Sequence, residues 1–259
     1  MLKNLIFGII AVMMLATVAC AQTADDIIAK NIQARGGAAK MAGVQTVKVT
    51  ATMAMGPGVE APVVLIQKKG NLARIEFTIQ GMTAVQAYDG QNAWEVVPFL
   101  DKKEAEPIAG DESKDIQEMA DIGGPLFEYK NKGNQVELLG KDKVDGADAY
   151  KLKVTLKNGD MATVYIDANS FLEIKKETKR TVRGSEQNIE ESIGDYKEVD
   201  GIFFPFVMES GIEGSQQKEK LTITKIELNI PADDSIFKMP APSPALPAQA
   251  PPAKPEATK

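Results

Sequence analysis

Residues 63–99, VVLIQKKGNLARIEFTIQGMTAVQAYDGQNAWEVVPF, constrain the fold more tightly than any other part of the chain. Over 73–80 the odd positions are apolar (Ala73, Ile75, Phe77, Ile79) and the even ones polar (Arg74, Glu76, Thr78, Gln80). A period of two fits only a half-buried strand, because successive side chains leave a strand on opposite faces. Gly70-Asn71, Gly81 and Asp89-Gly90 stand where hairpins need positive backbone angles. The stretch therefore predicts three or four consecutive antiparallel strands, dry on one face and wet on the other.

The same pattern recurs along the chain. Val47, Val49, Ala51, Met53 and Met55 alternate with Thr46, Lys48, Thr50 and Thr52; Tyr150, Leu152, Val154 and Leu156, and then Ala162, Val164 and Ile166, alternate with polar residues in the same way. Asn158-Gly159, between the last two groups, is the strongest hairpin signal present. Further strands are expected at 135–139, 171–180, 188–196, 202–208 and 221–230, giving eleven to thirteen in all. Residues 101–110 are expected to be a polar connection. Two segments carry helical signals. Residues 23–35 open on a Thr23-x-x-Asp26 capping box, carry the stripe Ile27, Ile28, Ile32 and end at Gly36-Gly37. Residues 111–122 show a weaker period (Ile116, Met119, Ala120, Ile122) and stop at Gly123-Gly124-Pro125, ahead of Leu126-Phe127. That second helix is either a hinged cover for the sheet or a fixed plug in its core. The fold class is thus mainly β (α+β), one large antiparallel sheet that must curl around whatever fills it.

The two ends are of other kinds. Residues 1–21 have the form of an export signal, with Lys3, an apolar core over 5–18 and the small-residue site Ala19-Cys20-Ala21. Cys20 either leaves with that signal or becomes an acylated anchor. The apolar core is shorter than the ~20 residues a bilayer requires. Residues 239–259 are rich in Pro and Ala and read as a disordered tail, so the folded body is 22–238. Export places the protein in the periplasm.

Composition narrows the function. The formal charge is −6, and removal of 1–21, whose one charged residue is Lys3, makes it −7. An acidic chain without basic runs is a poor partner for nucleic acid. Histidine is absent and Cys20 is the single cysteine, so the commonest general base, the thiol nucleophile and the usual transition-metal ligands are missing together. An enzyme would depend on carboxylates such as Glu190 and Glu191 or Asp111 and Glu112. Neighbours on a strand face opposite ways, so Glu190 and Glu191 cannot flank one bond. No enzyme activity and no cofactor are expected.

The hollow of the curled sheet offers an apolar wall instead. Its candidate lining is Met53, Met55, Ile75, Phe77 and Ile79, then Trp94, Phe99, Met119, Ile122 and Phe127, and then Leu152 and Val154. In the run 202–208 the larger alternate set, with Phe204, Phe206 and Met208, is taken to face inward over Phe203 and Val207. Methionine suits a wall that meets varied apolar shapes, and equally an ordinary core. Trp94 is either a plain core aromatic or part of the wall. Burial of an acyl chain of about 14 carbons contributes on the order of 11 kcal/mol gross at ~0.8 kcal/mol per methylene, far above what surface repulsion removes.

Lys68 to Asn71 (K-K-G-N), Arg74 to Phe77 (R-x-E-F), the motif Y-D-G-x-x-x-W-x-x-x-P-F over 88–99, and D-Y-x-x-V-D-G-x-x-F-P over 195–205 resemble the periplasmic lipoprotein carriers of the LolA type and their outer-membrane lipoprotein-sorting relatives. The resemblance implies an unclosed β-barrel covered by an N-terminal helix and a short helical lid, with acyl chains of a lipoprotein or phospholipid held in between. It also implies a monomer that receives its ligand from an inner-membrane donor complex and passes it to an outer-membrane acceptor. A related possibility is an envelope sensor of lipoproteins or lipids. Lys69 stands where the carriers have an arginine whose hydrogen bonds help to hold the lid, so Lys69 is the expected lid or head-group contact, although lysine lacks the bidentate fork of arginine.

Overall fold

The computed structural model describes residues 22–56, 58–182 and 185–241. The expected export signal with Cys20, and the tail from 242 onward, lie outside the described residues. Thirteen strands form one antiparallel sheet that does not close on itself. In chain order they begin β1 (Thr46–Ala54), β2 (Glu60–Lys68), β3 (Leu72–Ile79), β4 (Met82–Tyr88), β5 (Ala93–Val97) and β6 (Lys102–Ile108). Then follow β7 (Gln135–Val144), β8 (Ala147–Thr155), β9 (Met161–Asp167), β10 (Glu173–Val182) and β11 (Ser185–Gly194). β12 (Lys197–Val199) and β13 (Ile202–Phe204) pair only with each other, and β14 (Val207–Ile212) and β15 (Glu219–Leu228) complete the sheet. Its order is β6-β5-β4-β3-β2-β1-β15-β14-β11-β10-β9-β8-β7.

Two expectations are corrected here. Residues 101–110 are mostly strand β6, an edge strand whose Lys102, Lys103, Glu104 and Glu106 discourage further pairing and whose Pro107 is tolerated only at an edge. A charged edge strand and a polar loop have nearly the same composition. The run 202–208 is two strands, because Pro205 lacks the N–H that a continuous ladder requires. β13 closes a small hairpin against the end of the first helix, where Phe203 N donates to Arg35 O at 2.9 Å. A Cβ on Gly36 (φ +121°) would stand 2.3 Å from the Gly201 carbonyl oxygen, so glycine is required at that junction.

Four α-helices lie among the described residues: α1 (Ala24–Ala34), α2 (Ala38–Gly43), α3 (Lys114–Met119) and α4 (Tyr129–Lys132). The Thr23–Asp26 capping box is formed. α3 packs against β3 and β4 while its carboxylates reach Arg180 on β10. β4 and β10 are seven strand steps apart, about 34 Å along a flat sheet at ~4.8 Å per step. A six-residue helix is about 9 Å long. The sheet is therefore sharply bent, and α3 spans its concave side.

Two apolar clusters fill that side. One joins Val47, Ala51, Val63, Ala73, Ile75, Ile223 and Ile226 beneath Ile116 and Ala120 of the α3 segment. The other sets Ile27 and Ile28 of α1, with Leu126, on Leu152, Val154, Val164 and Ile166. Ile32 touches both. Fully buried Asn31 ties α1 down by donating to the Phe171 carbonyl at 2.8 Å.

The convex side has its own cover. Arg74, Ala87 and Trp94 are register partners on the face opposite Ala73 and Ile75. There the segment after β15 crosses β2 to β5. Lys68 donates to the Ala232 carbonyl at 2.8 Å, Arg74 to that of Ile236 at 3.0 Å, and Trp94 Nε1 to that of Phe237 at 2.8 Å. Phe237 is fully buried beneath this strap. Phe237→Ala is expected to cost about 3–5 kcal/mol in urea unfolding and to red-shift the emission of Trp94. An unchanged midpoint with unchanged emission would remove the strap from the set of stabilising elements.

Candidate functional site

The chain from 110 to 134 is a continuous cover over the concave face, and polar contacts fasten it. At one end Lys114 pairs with Asp160 at 2.8 Å, beside the β8–β9 turn. Arg180 donates to Asp115 at 3.1 Å and to Glu118, and Lys176 lies 3.9 Å from the other oxygen of Glu118. From the opposite arm of the sheet, Gln67 on β2 donates to the Met119 carbonyl. In the middle, Arg35 at the end of α1 donates to the Gly123 carbonyl at 2.9 Å. Lys132 grips Asp121 at 2.5 Å and the Gly124 carbonyl at 2.8 Å. The apolar hold of α3 is slight by comparison, since Ile116 is its one buried residue.

The space left by this packing is not under the strands. It is a cleft of about 590 Å³ between α1, α2 and residues 126–131. Ile28, Ile32, Leu126 and Phe127 form its apolar walls, and the solvent-exposed Ala29, Ala38, Ala39 and Ala42 line its open side. These small side chains leave the space between the two helices and the cover unfilled. At the rim Asp25 accepts from Lys130 at 2.8 Å and from the Tyr129 hydroxyl. The Lys130 ammonium, and then that hydroxyl, hold the Asp25 carboxyl below the usual carboxylate range. Burial, and next Asp25 itself, push the Tyr129 hydroxyl up. A second hollow of about 350 Å³, lined among others by Val144, Ile174, Ile193 and Val207, shares no residue with the cleft.

Of the residues expected to line a cavity, only Phe127 borders the cleft. Ile75, Phe127 and Phe206 are buried in the first cluster, with Met53, Phe77, Ile122, Phe204 and Met208 packed against it. The inward set of 202–208 is therefore together, though carried by two strands. Phe99 packs on Phe77 with ring centres 5.9 Å apart. Leu152 and Val154 lie in the second cluster, sealed by α1. Met55 follows the end of β1, Ile79 is partly buried at the end of β3, and Met119 is exposed. Trp94 faces the convex side under Phe237. Lys69 reaches the Ala42 carbonyl of α2 at 3.4 Å, away from α3. The cations that do meet the cover are Arg180, Lys176 and Arg35. Their signal was available, since Lys176, Thr178 and Arg180 alternate on one face of β10 opposite an acidic helix.

Glu190 and Glu191 occupy opposite faces. Glu190 pairs with Lys218 at 2.8 Å and Lys175 at 3.2 Å, and hydrogen bonds from these two hold its carboxyl below the usual range. Glu191 pairs with Lys176 at 3.1 Å. Among the described residues no group of three or more Asp, Glu, Cys or His side chains is placed to hold a metal ion.

No protein-family model matches the chain. No curated protein matches it either. Solved structures do. A LolA superfamily protein from Nitrosomonas europaea is 15% identical and superposes with a TM-score of 0.56 over 84% of this chain and 98% of that one. A DUF1329 family protein from Desulfovibrio piger is 14% identical, with a TM-score of 0.58 over 83% and 96%. A protein domain from Vibrio parahaemolyticus described as outer membrane lipoprotein-sorting is 12% identical, with a TM-score of 0.53 over 82% and 94%. The chain has the LolA-like fold.

The rim clasp is exposed and is worth little in stability. Asp25→Ala is expected to leave the unfolding midpoint within about 1 kcal/mol of wild type while speeding amide exchange in 126–132 alone. Unchanged exchange there would show that the clasp does not govern the rim.

Proposed function

We propose that the protein is an exported, non-enzymatic and cofactor-free carrier that takes the acyl chains of lipoproteins or lipids beneath the 110–134 cover. It acts as a monomer that moves this cargo between a donor at the inner membrane and an acceptor at the outer membrane. The observation that carries the proposal is the cleft, apolar on its walls, open along its alanine side and joined through Phe127 to the first apolar cluster. Its volume of about 590 Å³ lies within the few hundred to a thousand Å³ usual for ligand pockets. Two further features support the reading. The LolA-like fold is shared with a domain described as lipoprotein-sorting, and residues 1–21 have the form of an export signal.

An acyl chain longer than the cleft has to extend past Phe127 into the cluster beneath α3, so loading requires the cover to lift. Each methylene transferred from water adds ~0.8 kcal/mol, which offsets the weak polar contacts that are lost. Native mass spectrometry of protein taken from its own envelope is expected to show a co-purified lipid or lipopeptide. Ala39→Trp, at an exposed position on the cleft, is expected to abolish uptake of a fluorescent fatty acid without loss of stability. A clean apo mass, with equal uptake by wild type and variant, would defeat the assignment of the cleft.

A further inference from the structure

We infer that Arg180 and Lys176 form the site for the anionic head group of the acyl ligand, and that Glu118 and Asp115 of α3 occupy this site as a built-in substitute. The inference rests on the carrier reading above and adds the chemistry of the ligand's polar end.

The position is marked by the Glu118 carboxylate. One of its oxygens meets Arg180 and the other stands 3.9 Å from Lys176. On a flat strand the two α-carbons are about 13 Å apart, four residues at ~3.3 Å each. Their long side chains nevertheless converge on this one carboxylate. An oxyanion in its place would meet the planar fork of Arg180 and a second cation.

Arg180 has ion-pair partners only on α3 among the described residues, namely Asp115 and Glu118. On the neighbouring strand Glu191 is engaged with Lys176. When the cover lifts, a guanidinium whose side chain is 12% exposed in the closed form loses both partners at once. Water compensates in part, and an incoming anion does so with better geometry. Gln187, the register partner of Arg180 on β11, adds a buried Oε1 with no hydrogen-bond partner among the described residues. It could accept from a hydroxyl of a head group.

α3 thus has the composition of an amphiphile. Ile116 is buried in the first apolar cluster, while Asp115 and Glu118 sit on the cations. An acyl chain with an anionic head presents the same two features at the same place, and the two compete.

The test uses the full chain and amphiphiles with one C12 tail, titrated calorimetrically below their micellar concentrations: dodecyl phosphate, dodecanoate and neutral dodecyl maltoside. Glu118→Gln is expected to tighten dodecyl phosphate roughly three- to tenfold, up to ~1.4 kcal/mol, and to leave the maltoside unchanged. Arg180→Gln is expected to weaken the anionic ligands by a similar factor and spare the neutral one. Preference for dodecyl phosphate alone identifies a phosphate head. Equal gains for phosphate and dodecanoate identify any oxyanion, a free fatty acid included. Anionic affinity unmoved by Glu118→Gln, or no preference for anionic over neutral tails, would overturn this inference and leave the carrier reading intact. Failure of wild-type protein to bind any of the three would sink both. The gain expected from Glu118→Gln cannot arise from misfolding, so a poorly folded Arg180→Gln does not blunt the test.

Discussion

A thirteen-stranded sheet that bends without closing has two unpaired edges and a concave face to be filled, and the helices and the β12–β13 hairpin follow from filling that hollow. β6 and β7 are the edges. The first is guarded by charge and Pro107. The hollow is filled by helices, because a helix satisfies its own backbone while presenting an apolar stripe. α1 does this with Ile27 and Ile28, both essentially inaccessible, over the β8–β9 arm. α3 does it with little more than Ile116 over the other arm.

These two coverings differ in how much polar contact each adds to its buried side chains. Full burial of an isoleucine contributes about 1.5–3 kcal/mol, so Ile27 and Ile28 alone outweigh any single contact of the cover. The cover adds to its own buried Ile116, Ala120, Leu126 and Phe127 a set of ion pairs, many of them partly exposed, whose usual worth is ~0–1 kcal/mol each, and backbone carbonyls taken up by Arg35, Lys132 and Gln67. Burial drives the Lys176 ammonium down, and the carboxylates of Glu191 and then Glu118 more than reverse this.

Much of this was legible in the sequence. The hairpins at Gly70-Asn71, Gly81, Asp89-Gly90 and Asn158-Gly159, the Thr23 cap and the inward set of 202–208 follow from local rules, because turn geometry and alternation depend on near neighbours. What was illegible depends on partners distant in sequence. Trp94 has the alternation of a strand residue and could lie on either face. Its side is decided by Phe237, 143 residues later, whose carbonyl takes the indole N–H. β6 resembled a loop because an edge strand is selected for charge. The cleft went unseen because its open side is alanine, a residue whose effect there is to leave space.

The cations are the most instructive case. The motif resemblance placed the lid contact at Lys69, on the loop after β2, yet that ammonium meets α2. Charge at the cover comes instead from β10, on the opposite arm of the bend, and from Arg35 at the end of α1, while β2 contributes only the neutral amide of Gln67. The asymmetry follows from the linings. β1 to β3 present Val47, Ala51, Val63 and Ile75 to the concave side, where an unpaired cation would be costly. The inward face of β10 carries Lys176, Thr178 and Arg180, and it can hold charge because β11 supplies Glu191 beside it. The bend thus brings an oily arm and a polar arm face to face, and α3, oily at Ile116 and acidic at Asp115 and Glu118, fits that boundary in one orientation only.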